Sequence, residues 1–504
     1  MHLGCKFIYE LIYQLRVEGT SWSIINLNDD ILFDLCSGSL ELRLSQRAVK
    51  PLIEMVLKKM PEATPDRIVK VICGFSNYFN DFKLTSNSAM WVFLRTKKSE
   101  EKDIDALRLA ANNSLNMLDS RHGNKHIAFR TAIEYAKVIG MTKINDFKDL
   151  TTLSKFMFSI SSTVSAFTYH DYQIVSRKMM DIMRTKENWH SSVFSQILWS
   201  MYMGRFINIE IFELISSQVM NTIHTLPTDH LTLCIFPLIH FFPLDRQLMV
   251  LTLDYTKDIL LRIGDCNKHH RFFQDIEVQL VRIIWSIIIS DVSECDEKFT
   301  KDLLWCISNI NWDRFLLHCK VQDIRKISQI CTMLELDVFR GKSLDVKLTS
   351  LFPSRVLDAV EHDNEMSQDI NRISVSQDRV RRVLDKLGVL YRSEFTVYRS
   401  IIVDFAVSKD KIEFKPDLLI EVDGPHHYIV RHSFNNHSDE DYELIRNRKT
   451  ATKYRFVIIH FYILFRLLSL LGLNVATVPW IEGYRGKLDK FVEDILRDGN
   501  VPFG

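Results

Sequence analysis

From about residue 40 to residue 345, apolar side chains recur three and four positions apart with polar ones between, and strand-like alternation is rare. That spacing predicts a long succession of amphipathic helices. In the centre the pattern repeats. A shift of 37 residues pairs Phe156 with Val193, Ile160 with Ile197, Val164 with Met201, Tyr169 with Phe206, Val175 with Phe212 and Ile182 with Val219. A further shift of 38 pairs Val193 with Leu231, Ile197 with Ile235, Met201 with Ile239, Phe212 with Val250 and Ile215 with Leu253. A unit of this length holds two helices, so residues 1–360 are expected to form a helical repeat array, an α-solenoid of helical hairpins.

The pattern then changes. Residues 361–373 begin with the polar run "EHDNEMSQDINR" and are expected to be a linker. "SVSQDRVRRVLDKLG" reads as one helix. Ser374 and Gln377 have capping-box spacing, Val380, Val383, Leu384 and Leu387 form one face, and Gly388 ends it. Three β-branched, apolar stretches follow, at 395–398, 400–407 and 417–423. A helical pattern from Tyr442 to Gly472, a strand "LNVATVP" and a closing helix at 487–498 complete a small α/β domain, 374–504, with its core at 395–498. The predicted class is mostly α with a small C-terminal α/β domain.

At 504 residues with 46% hydrophobic positions, the chain is too long for one core and too apolar for disorder. Its formal net charge of +1 gives no basic excess, so a nucleic-acid partner would need a local basic face. The nine cysteines contain no CxxC pair, which argues against a disulfide framework or a zinc site. The N-terminus carries no signal-peptide pattern, and as a transit peptide it is weak.

Candidate chemistry gathers near the end of the third predicted strand, where "EVDGPHHY" follows "DLLI". Glu421 and Asp423 are two apart and share a strand face, and Asp404 joins them if its strand is a hairpin neighbour. Three carboxylates on one face suit Mg²⁺, which would lower the pKa of a bound water and stabilise charge on a phosphate. Each residue also has an ordinary role: a strand Asp bonded to backbone, an Asp-Gly-Pro turn, a surface histidine pair. The densest basic stretch of the domain, "RNRKTATKYR", follows in sequence. With Lys409 and Lys411 it offers Arg446, Arg448, Lys449, Lys453 and Arg455 as phosphate contacts, or equally as a solvated helix face.

"DLLIEVDGPHHY", a Lys-x-Arg helix and "LGLNVATVPW" together resemble the RAP domain, an RNA-binding domain abundant in apicomplexans. The matching residues are Glu421, Asp423, Gly424, Pro425, His427 and Tyr428, then Lys453, Arg455, Leu468, Leu471, Gly472, Val475, Pro479 and Trp480. They cover roughly the last quarter of the chain. The resemblance implies an organellar, mitochondrial RNA-binding protein acting in RNA processing, RNA stability or mitoribosome assembly. Its partners would be single-stranded RNA or rRNA, with Tyr428 and Trp480 among the RNA contacts and no membrane.

It also implies a fold resembling the restriction-endonuclease-like, PD-(D/E)XK, class. As a metal-dependent ribonuclease the chain would use Asp404, Glu421, Asp423 and His427, with Asp404, Glu421 and Asp423 holding Mg²⁺; otherwise no cofactor is required. Asp423 stands where that class carries lysine, and an Asp cannot offset phosphate charge, which favours binding over cutting. A structural scaffold on the mitoribosome is the other alternative.

Against the RAP pattern, "FVIIHFYILFR" at 456–466 interrupts the helix; removing it leaves "TKYRLLSLLG". The run is too short to span a membrane and would expose bulky apolar side chains if it extended the helix. A short in-frame retained intron explains it best. A transcript read across this region is expected to lack the codons for 456–466; one that encodes them continuously contradicts the retained intron.

Overall fold

In the computed structural model the described residues are 29–41, 46–79, 108–113, 125–161, 167, 169–185, 189–204, 206–241, 246–265, 276–290, 296–338, 347–368, 374–398, 401–410, 413–423, 430–432, 468, 471–479, 488–499 and 501. They are mostly helical, with a four-stranded mixed sheet near the C-terminus. The chain divides into two compact units. One comprises Met1–Ile215 with Val430–His437, the other Ser216–Ile429 with Ser438–Gly504. The division falls inside the helical region.

The first unit contains α1 (Asp29–Glu41), α2 (Gln46–Lys59), α3 (Pro65–Phe79), α4 (Lys125–Thr142), α5 (Leu150–Ser161), α6 (Tyr169–Met183), α7 (Ser191–Gly204), strand β1 (Phe206–Asn208) and the start of α8 (Ile209–Thr222). Alternate helices stack: α1 on α3, α3 on α5, α5 on α7. Polar bridges tie stacked neighbours together. Arg67 donates to Asp30 and Lys70 to Asp34, both at 2.7 Å, and Ser154 donates to Gln196 at 2.8 Å.

The interior of this unit is a run of aromatic rings. Phe147, Phe156, Phe167, Tyr172 and Phe206 follow one another at centroid distances of 5.3, 5.6, 5.2 and 4.9 Å. The buried Tyr172 hydroxyl donates to the Ser200 carbonyl at 3.2 Å and pairs with the Ser161 hydroxyl at 3.0 Å. Burial pushes this phenol well above its ordinary pKa. Tyr172 lies where a Cβ on Gly204 would be, and Phe156 likewise fills the space beside Gly140. β1 pairs in parallel with β5 (Val430–His432), with Phe206 opposite Val430 and Asn208 opposite His432. The expected all-helical region thus includes a strand, and its partner comes from the C-terminal third of the sequence.

The second unit continues through α9 (Thr228–Phe241), α10 (Arg246–Asp265), α11 (Ile276–Ile289), α12 (Glu297–Ser308), α13 (Trp312–His318), α14 (Val321–Met333), α15 (Leu348–Leu351) and α16 (Ser354–Gln368). Stacking continues here, α9 on α11, α11 on α14 (with α12 and the short α13 between them in sequence) and α14 on α16. The expected rows are buried at Phe156, Val193 and Leu231, and at Ile160, Ile197 and Ile235. Helix starts at 150, 191 and 228, and at 169, 209 and 246, show a first interval longer than the expected 37 residues. One expected pair fails, because Phe212 is buried whereas Val250 is 38% exposed. The segment expected as a linker is helical as far as Gln368, held where Arg325 donates to Asp363 at 3.2 Å.

The small α/β part of this unit begins with α17 (Val375–Lys386). Gln377 N–H donates to Ser374 Oγ at 3.1 Å, and Ser374 N–H donates back to Gln377 Oε1 at 2.5 Å, completing the expected capping box. At the other end Gly388 has φ +64°, and the N–H groups of Gly388 and Val389 donate to the carbonyls of Asp385 and Leu384 at 3.1 and 3.2 Å. That is the glycine-terminated helix stop its position predicts. Strands β2 (Leu390–Tyr398), β3 (Ile401–Ser408) and β4 (Leu418–Asp423) form an antiparallel meander, and β6 (Val475–Pro479) joins β4 in parallel.

Val380, Val383 and Leu384 of α17, with Leu488, Val492 and Leu496 of the closing helix α18 (Leu488–Asp498), bury one sheet face. That face presents Phe405, Val407, Leu418, Ile420, Val422 and Val478. Of the expected helix at 442–472, the described residues include Leu468 and the stop at Gly472, whose φ is +73°. Residues 456–466 lie outside them. No helix among the described residues is long and apolar enough to cross a membrane.

Gly204→Ala is expected to destabilise the first unit by about 1–3 kcal/mol, the usual penalty for forcing atoms into a filled core. A lowered urea midpoint in denaturation followed by circular dichroism checks it, and an unchanged midpoint contradicts the Tyr172 packing.

Candidate functional site

The register of the meander places Asp404 between two other carboxylates. Ser393↔Phe405 and Phe395↔Val403 bracket the position at which Glu394 on β2 faces Asp404 on β3. On the other side, Phe405↔Ile420 is the last paired step between β3 and β4, and one step further Glu421 stands opposite Asp404. Glu421 in turn pairs with Thr477 on β6. Glu394, Asp404, Glu421 and Thr477 therefore form a row across all four strands.

Asp404 makes contacts to two elements, α17 and β4. Its Oδ2 accepts from the backbone N–H of Val422 at 2.5 Å, the position where the β3–β4 ladder stops. Its Oδ1 accepts from Gln377 Nε2 at 2.5 Å, and it also hydrogen-bonds Glu421. Gln377 Nε2 bonds a second acid, Glu394 Oε1, at 3.1 Å. One amide thus caps α17 with its oxygen and ties two strands with its nitrogen.

The electrostatics follow from this enclosure. Burial raises the Asp404 carboxyl above the usual carboxylate range, against the opposing pull of Val422 N–H, Gln377 and Glu421. Glu394 is also raised, first by burial and then by the charge of Asp404, with Gln377 acting the other way. Glu394 has φ +49°, a left-handed conformation that costs a non-glycine residue on the order of 1 kcal/mol. Its bond to Gln377 fixes it there.

The structure thus brings Asp404 and the buried Glu421 together as the sequence predicts, and adds Glu394 and Gln377, which the sequence pattern alone does not single out. Gln377 has a legible role as a cap; its free amide nitrogen is the available signal. The side chain of Asp423 and all of His427, Tyr428 and Trp480 lie outside the described residues, as do Lys411, Arg446, Arg448, Lys449, Lys453 and Arg455. Lys409 is exposed, its Nζ 3.8 Å from Asp417 and its N–H donating to Asp417 Oδ2 at 2.7 Å.

Among the described residues no group of three His, Cys, Asp or Glu side chains is arranged to hold a metal ion. Asp404 gives its oxygens to an amide, a backbone N–H and a neighbouring carboxyl, and the side chain of Asp423, the third expected ligand, lies outside the described residues. No protein-family model matches the chain, and no curated protein is similar to it.

The raised carboxyls set a direction for pH. A folded state that holds protons more tightly than the unfolded chain loses stability as pH rises from the ordinary carboxylate value, about 4, through the raised folded value. Glu394→Gln removes one such group and the repulsion with Asp404. In urea denaturation the variant is expected to gain on the wild type as pH rises through that window and to converge with it below. A gap independent of pH contradicts the arrangement.

Proposed function

We propose that this chain is an organellar RNA-binding protein, acting in the mitochondrion in RNA processing, RNA stability or mitoribosome assembly. The observation that supports it most is the pairing of β4 with β6. Two described segments of the RAP-like text, "LLIEVD" and "VATVP", lie side by side, with Glu421 opposite Thr477 and Asp423 opposite Pro479. Residues 56 positions apart that resemble one family's pattern are thereby neighbours in one sheet.

Two finer readings go with this. Alternate stacking of helices, with bridged residues 36 to 44 positions apart, favours an α-solenoid. Such an array presents a series of equivalent positions along which unstacked RNA can lie. A helix, an antiparallel meander and a parallel fourth strand favour the restriction-endonuclease-like class for the C-terminal domain. Cleavage gains no support from the described residues, in which Asp404 accepts from Gln377 and from the backbone of Val422. Binding is the better use of this domain.

Fluorescence anisotropy of purified protein with a labelled oligouridylate tests the proposal. Binding is expected to weaken with salt, the slope of log K against log salt being about −0.7 for each phosphate neutralised. Absence of binding at low salt would refute it.

A further inference from the structure

A second polar centre lies in the helices of the second unit, on α9, α11 and α14. Asp323 is fully buried and accepts from Arg282 Nε at 2.8 Å and Nη2 at 3.2 Å, and from the Lys320 N–H at 3.1 Å. Lys326, almost one turn further along α14, holds its ammonium 3.7 Å from the same carboxylate and donates to the Gln322 carbonyl at 3.2 Å. The ammonium lies 5.7 Å from the ring centroid of Trp285 and 5.9 Å from that of Phe236. These two rings are themselves stacked at 5.5 Å, and Trp285 Nε1 donates to Gln329 at 2.7 Å.

The charges do not balance. Two cations share one carboxylate, and the Arg282 fork already engages both oxygens of Asp323. Neighbouring charges have partners of their own: Arg325 bonds Asp363, and Arg314 of α13 pairs with Glu277 of α11. A guanidinium has five N–H donors, of which Arg282 spends two on Asp323. Both cations reach the surface, with side chains 29% and 15% accessible. Burial and the charge of Arg282 hold the Lys326 ammonium below its ordinary pKa, against the pull of Asp323. An anion at this rim would restore neutrality. The fork orientation of Arg282 is already fixed by Asp323, so little side-chain freedom is lost when it binds.

We propose that Arg282 and Lys326 together seat a backbone phosphate of single-stranded RNA on the α9–α11–α14 layer. This rests on the RNA-binding function proposed above and places a contact in the helical region, apart from the basic run of the C-terminal domain. Trp285 and Phe236 hold the lysine in place, and Asp323 orients the arginine.

The test uses the full chain and a fluorescent oligouridylate across a salt series. Lys326→Gln is expected to weaken binding about tenfold at low salt and to flatten the log–log salt slope by about 0.7, one phosphate contact on a single strand. Lys326→Arg is expected to keep both. Unchanged affinity and slope in Lys326→Gln overturn the seat while leaving RNA binding intact; a wild type that binds no RNA overturns both. Inorganic phosphate that abolishes the Lys326 contribution at constant ionic strength would identify free phosphate as the occupant and overturn the RNA assignment. Because Lys326→Gln can disturb the layer, the wild type is also photocrosslinked to a 4-thiouridine oligomer. Labelled peptides are expected to include 276–289 or 321–333, and labelling confined to other peptides overturns the proposal.

Discussion

A carboxylate enclosed between strands must find partners, because leaving it unsatisfied costs far more than a hydrogen bond returns. Asp404 meets that requirement by drawing on α17, β4 and the neighbouring acid at once. The backbone of β4 gives up a ladder bond at Val422 to satisfy it, and Gln377 holds the helix start against the sheet. The left-handed backbone of Glu394 belongs to the same arrangement, since the amide that bonds Asp404 also bonds Glu394. The geometry of this corner therefore follows from accommodating one partly buried carboxyl.

The helical region meets the same requirement differently. Each amphipathic helix buries its apolar stripe on neighbours in the layer, and polar side chains at the rim cross from one helix to the next. Asp30 with Arg67, Ser154 with Gln196 and Arg282 with Asp323 all follow this scheme. Exposed pairs of this kind add little stability. The buried Asp323 is different: with its cations removed it would be an uncompensated charge in the core, a loss of about 3–5 kcal/mol. Such bridges fix which helix follows which, while the apolar rows supply the driving force.

How much was legible depended on whether the signal was local. The span 374–388 reads correctly because its cap, stripe and glycine stop lie within a few residues of one another. The meander is legible from β-branched runs, although β2 begins at Leu390 because "LYRSE" hides an edge strand behind charged residues. The helix end at 361–368 looks like a linker because its sequence, anchored by Asp363 to Arg325, carries no apolar stripe. β1 and β5 were invisible, since three residues pairing across more than two hundred positions leave no periodic trace. In the site, Asp404 and Glu421 stand out as charges on apolar strands, whereas Glu394 and the second function of Gln377 depend on register, which local patterns do not encode.

The mixed sheet also determines the order in which this domain can assemble. The meander of β2, β3 and β4 joins segments that are close in sequence, so closing it costs little chain entropy. β6 pairs with β4 only after the chain from Gly424 to Asn474 has made its excursion, and that entropy must be spent before any contact with β6 repays it. The loop-closure cost grows only with the logarithm of length, so eleven residues more or less in that excursion change it by a few tenths of a kcal/mol at most. The central strand thus waits, with one edge open, for a partner whose arrival is slow but indifferent to the length of the path. Among the elements of this domain, β4 before docking of β6 is the strand most exposed to pairing with the wrong chain during folding.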